Sequence, residues 1–128
     1  MRLNTLFGAW AAVGVIFGLG FLLVPEMLMS GYNVEAASID ANSIAFARLL
    51  GASLLGYAVL AWFARSITDV GARTKIVLTN LVVTTLNLVL FLKTTLIDGF
   101  NGAPEWFNVV LMGLFSVGFG YFYFAKRE

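Results

Sequence analysis

Cysteine and histidine are both absent from the 128 residues. Their absence excludes disulfides, thiol redox chemistry, histidine-ligated haem, Cys/His zinc sites, and Ser-His or Cys-His nucleophilic machinery. It also leaves nothing from which a redox compartment could be read. Charge is scarce: eight Lys and Arg against seven Asp and Glu, 12% of the chain. An ordinary soluble domain carries about a quarter charged residues. The net charge of +1 gives no whole-molecule attraction to nucleic acid. No phosphate-binding loop or dinucleotide fingerprint occurs, because the glycines sit inside apolar runs.

What the chain has is hydrophobic length. Apolar residues make up 60% of it, and runs of roughly 20 recur from end to end, the pattern of membrane-spanning helices. The spacing predicts spans at about Leu3–Val24, Ser43–Ala64, Lys75–Leu96 and Glu105–Ala125, in a single domain. Backbone in hydrocarbon must satisfy its own polar groups, so these runs read as helices. They lack the alternating pattern of a membrane barrel. Pro25 stops the first, with an interfacial turn expected over Glu26–Ser30. The apolar stretch from Leu6 to Val24 is longer than a signal core, and the nearest cleavage-like pattern, Val34-Glu35-Ala36, lies well past it. It reads as an uncleaved first helix.

Arg2, Arg65, Arg73, Lys75, Lys126 and Arg127 fall on one side of this topology. Glu26, Glu35, Asp40, Asp98 and Glu105 fall on the other, with Arg48 and Lys93 near span ends. The positive-inside rule places both termini and the Arg65–Lys75 loop in the cytoplasm. Tyr32 and Trp106 mark the outer boundary; Trp62, Tyr121 and Tyr123 mark the inner. Short connections make consecutive helices antiparallel, giving an all-α membrane protein with an up-down-up-down four-helix bundle. Gly31-Tyr32-Asn33 and Gly99-Phe100-Asn101 form a faint internal echo, read as ordinary helix C-caps rather than a repeat.

Small residues recur at four-residue spacing: Gly14 with Gly18, Ala47 with Gly51, Ala52 with Gly56, and Ser116 with Gly120. Such pairs let helix backbones approach closely. They serve either a homodimer or docking face, or packing inside the chain's own bundle, and the second is expected for most of them. Asn80, Thr84, Asn87 and Thr94 share one face of the third span. The reading as interhelical polar glue leads over a lining for a lipid, a quinone headgroup or water.

Arg48 lies inside the second span, about 6 Å from its outer end. Its helical face holds Ala45, Ala52, Leu55 and Val59, beside Gly56, so it is expected to turn towards a packed neighbour. Glu26, Glu35 and Asp40 lie on the same side, and an ion pair or headgroup anchor leads over a ligand-binding role. Lys93 falls opposite the asparagine stripe and is expected to snorkel outward. No carboxylate falls near the middle of a span, which disfavours active transport.

The segments FLLVPEMLMSGYN (21–33) and ARLLGASLLGYAVLAWFAR (47–65), followed by two further spans, resemble small bacterial four-helix membrane proteins of the broad DoxX-like type. Some of these serve as membrane subunits beside oxidoreductases that feed quinone, so the resemblance implies an accessory role and supplies no catalytic residue. The expectation is a non-enzymatic structural or accessory subunit of a membrane complex, with no cofactor or metal. Its partners would be membrane lipids, other subunits or further copies of itself. The alternatives are a lipid- or quinone-binding protein using Arg48, Asn80, Thr84 and Asn87, and a small oligomeric channel or transporter.

Overall fold

The computed structural model describes residues 2–32, 34–99 and 102–126. Among them the chain is all-helical: α1 (Leu3–Leu23), α2 (Pro25–Gly31), a 3-10 turn (Ala36–Ser38), α3 (Ala41–Ala64), α4 (Val70–Leu96) and α5 (Ala103–Phe124). Helices α1, α3, α4 and α5 are long and apolar enough to cross a membrane. At 21 to 27 residues they measure about 31–40 Å, sufficient for a hydrocarbon core of about 30 Å.

Capping chemistry sets boundaries that hydropathy does not register. Helix α3 starts two residues before the expected Ser43, because Asp40 and Ser43 form a reciprocal box. The Ser43 amide donates to Asp40 Oδ1 and the Asp40 amide donates to Ser43 Oγ, both at 2.9 Å. The Ser43 amide bond holds the Asp40 carboxyl below its ordinary value. Helix α4 starts at Val70 rather than Lys75, since Asp69 accepts a 2.8 Å bond from the Ala72 amide. Thus Arg73 and Lys75, expected in a loop, lie on the first two turns of α4. Pro25 opens α2 at its first position, where a missing amide hydrogen is harmless. The Gly31/Gly99 echo does not persist. Gly31 ends the short α2 and not a span, whereas Gly99 has φ +82° just beyond α4, a conformation glycine adopts without strain. Asn33, Phe100 and Asn101 of that echo, and Arg127 of the basic set, lie outside the described residues.

The chain divides into two compact units, Phe7–Phe63 and Met1–Leu6 with Ala64–Glu128. In the smaller unit α1 and α3 run antiparallel in close contact. A Cβ on Gly14 would lie 2.9 Å from the Ala58 methyl, and one on Gly51 would lie 2.6 Å from the Gly18 carbonyl oxygen and 2.7 Å from the Leu22 nitrogen. Helix α2 turns Leu28 onto Gly20 of α1. In the larger unit α4 and α5 are antiparallel, with Leu88 beside Gly113, Thr85 hydrogen-bonded to Ser116 at 2.8 Å, and Leu81 beside Gly120. The first turn of α1 belongs here too, Leu6 lying against Gly118.

Gly51 meets backbone on the partner helix, and no side chain can swing away to make room. Gly51→Val is therefore expected to destabilise the protein by about 3 kcal/mol, measured by detergent-denaturation midpoints. Gly56→Ala, with nothing within 4 Å, should leave the midpoint unchanged or slightly raised.

Candidate functional site

Three polar features stand out against the apolar helices. The first is Arg73, 8% exposed on the first turn of α4. Its Nη1 donates to the carbonyl oxygens of Ala64 and Ile67, each at 3.1 Å, and its Nη2 donates to Asn4 Oδ1 at 2.8 Å. Ala64 is the last residue of α3, and its carbonyl accepts a long 3.3 Å bond from the Ile67 amide. The guanidinium fork gives that carbonyl a second donor, holds the connection to α4 and ties in the first turn of α1. The basic-residue pattern alone puts Arg73 among the loop cations. The signal for its burial is Asp69, a cap that begins the helix at Val70, three residues before Arg73.

The second feature is the buried polar set of the larger unit. Asn80 and Thr84, two of the stripe positions, are buried, while Asn87 and Thr94 are half-buried. The stripe does less interhelical bonding than expected. Thr84 donates to Asn80 O in its own helix and Thr94 donates to Leu90 O. The hydroxyl bond that joins α4 to α5 comes from the neighbouring Thr85, to Ser116. Glu105, read as an outer surface charge, is only 3% exposed, and Asn108 one turn on is equally buried. Lys93 does face outward, 3.2 Å from Asp98.

The third feature is the outward face of α3. The small-residue positions separate here. Ala47, Gly51, Ala58, Ala61 and Ala64 form its buried stripe, which Gly14 and Gly18 of α1 approach. Arg48, Ala52 and Gly56 are each exposed. The expectation that Arg48 turns towards a packed neighbour is corrected by rotation: Arg48 and Ala52 each follow a buried residue by one position, about 100° round the helix. Nor does Arg48 pair with Glu26, Glu35 or Asp40; it has no hydrogen bond or ion pair among the described residues. Next to this stripe, Val59, Trp62 and Phe63 form one wall of an apolar groove of roughly 490 Å³, and Ala11, Val15 and Ile16 of α1 form the other.

Of the proposed ligand-binding residues, Arg48 is exposed in the smaller unit, whereas Asn80, Thr84 and Asn87 belong to the larger. Ser116 and Gly120 take up packing roles against α4. Among the described residues no three metal-binding side chains cluster.

Arg73→Lys keeps the charge but loses the planar fork, and should lower stability by about 2 kcal/mol in the same denaturation assay. The exposed neighbour Lys75, changed to Arg, should shift it by less than about 0.5 kcal/mol.

No curated protein matches the chain, and no solved structure matches it. A family described as "Domain of unknown function (DUF8292)" matches residues 3–127, all four long helices included, and the chain belongs to that family.

Proposed function

We propose that this protein is a non-enzymatic structural or accessory subunit of a membrane complex, docking to a partner through the outward face of α3. The observation that carries this reading is the contrast between its glycines. A Cβ on Gly18 or Gly51 would collide with the neighbouring helix, whereas Gly56 has nothing within 4 Å. Ala52 and Gly56 are a small-x-x-x-small pair left open, and such pairs let another helix approach closely. Arg48 lies on the same face, one turn before Ala52 and about 10 Å from the start of α3. An exposed guanidinium at that depth needs an acidic side chain, a carbonyl or a lipid phosphate. The groove beyond Gly56 extends the face with apolar surface only.

Two sequence features agree with this role. The likeness to DoxX-like proteins, some of which sit beside oxidoreductases, implies a subunit and not a stand-alone machine. The basic residues Arg2, Arg65, Lys75 and Lys126 favour an orientation with both termini on the cytoplasmic side, and the DoxX-like likeness favours a bacterial inner membrane.

The test is photocrosslinking in the native membrane. A photoreactive side chain at Ala52 is expected to capture a polypeptide of one reproducible mass, or a second copy of this chain, while the same group at exposed Leu86 on α4 captures lipid. Gly56→Leu should abolish the captured protein without altering the denaturation midpoint. Lipid adducts alone at both positions would contradict docking.

A further inference from the structure

Glu105, Thr95 and Asn80 are the described residues whose buried side-chain atoms have no hydrogen-bond partner, and all three lie in the larger unit. The case of Glu105 is the most demanding. Both of its carboxylate oxygens are buried and unpartnered, with the residue 3% exposed. It is the third residue of α5, where an acidic side chain ordinarily folds back onto the free amides of the first turn. The cap at Gly102 supplies no side-chain bond either. The helix end favours negative charge there, yet the carboxylate meets no donor among the described residues.

Thr95 supplies the second observation. It is 2% exposed and its hydroxyl oxygen is also unpartnered. The α4–α5 register set by Leu88 beside Gly113 continues two turns towards the connection. Seven residues after Leu88 is Thr95, and eight before Gly113 is Glu105, so both stand at the same level of the hairpin. Two oxygen-bearing side chains, each sealed from solvent, therefore share one end of α4 and α5. The charged groups at that end are Lys93 and Asp98 on the α4 side, which pair with each other at the surface; α5 carries no other charge before its C-terminal end.

A sealed carboxylate needs a cation to match it. One carboxylate and one hydroxyl suit a hard monovalent ion. Divalent ions demand several acidic ligands, and zinc-like metals favour the thiolate and imidazole groups this chain lacks. We propose that Glu105 and Thr95 form a binding site for one alkali-metal ion held by oxygen ligands. The site is independent of the α3 docking face.

The experiment uses the full chain in phosphatidylcholine nanodiscs at pH 7, in choline chloride and then with added NaCl or KCl. Thermal unfolding reads ion binding. Na⁺ or K⁺ is expected to raise the unfolding temperature of the wild type. Thr95→Val should raise the half-effective salt concentration about tenfold, Thr95→Ser should restore it, and Glu105→Gln should abolish the response. A wild-type unfolding temperature indifferent to Na⁺ and K⁺ would overturn the proposal.

Discussion

A hydrogen-bonding group in hydrocarbon has no water to fall back on, and the Arg73 guanidinium answers that constraint where it is sharpest. Helix α3 ends at Ala64, whose carbonyl takes a long 3.3 Å bond from the Ile67 amide and has a second lone pair to fill, and the turn to α4 adds the Ile67 carbonyl close by. One planar fork accepts both tasks and reaches Asn4 as well. A lysine ammonium has the charge but not the divergent donors needed for three acceptors at once. The Asp69 cap is part of the same arrangement, because it starts α4 three residues before Arg73 and so sets where the guanidinium stands.

Away from that node, cohesion comes from closeness. Lipid tails are as apolar as the side chains, so helices gain by fitting together more tightly than lipid fits against them. Gly14, Gly18 and Gly51 let α1 and α3 touch backbone to backbone, and Gly118 makes room for Leu6. Against that close fit Gly56 differs: a Cβ there would meet nothing within 4 Å among the described residues. The proposed accessory role rests on the difference between these two kinds of glycine.

The four spans were legible because lipid imposes length and apolarity on any helix that crosses it, and the helices found at Leu3, Ala41, Val70 and Ala103 follow the runs closely. What hydropathy could not show was rotation and capping. Ala47 and Arg48 are neighbours in sequence, yet one is buried against α1 and the other exposed, a distinction set by a single step round the helix. Asp69 looks like one more loop charge until its carboxylate is seen capping α4, and the misplacement of Arg73 followed from that. Glu105 was read from its position near a span end, which is correct along the axis and says nothing of burial. The asparagine stripe was correctly grouped on a helical face, but Thr84 and Thr94 bond within their own helix, as short hydroxyl side chains readily do.

The central claim is that Arg73 joins the start of α1 to the end of α3 and the first turn of α4. A double-mutant cycle with Asn4→Ala and Arg73→Met, read as reversible unfolding free energy in lipid–detergent bicelles, tests it most directly. The account predicts that the two changes together destabilise less than the sum of each alone, with a coupling of about 1.5 kcal/mol. Strict additivity would mean that Arg73 and Asn4 act separately, and would contradict it.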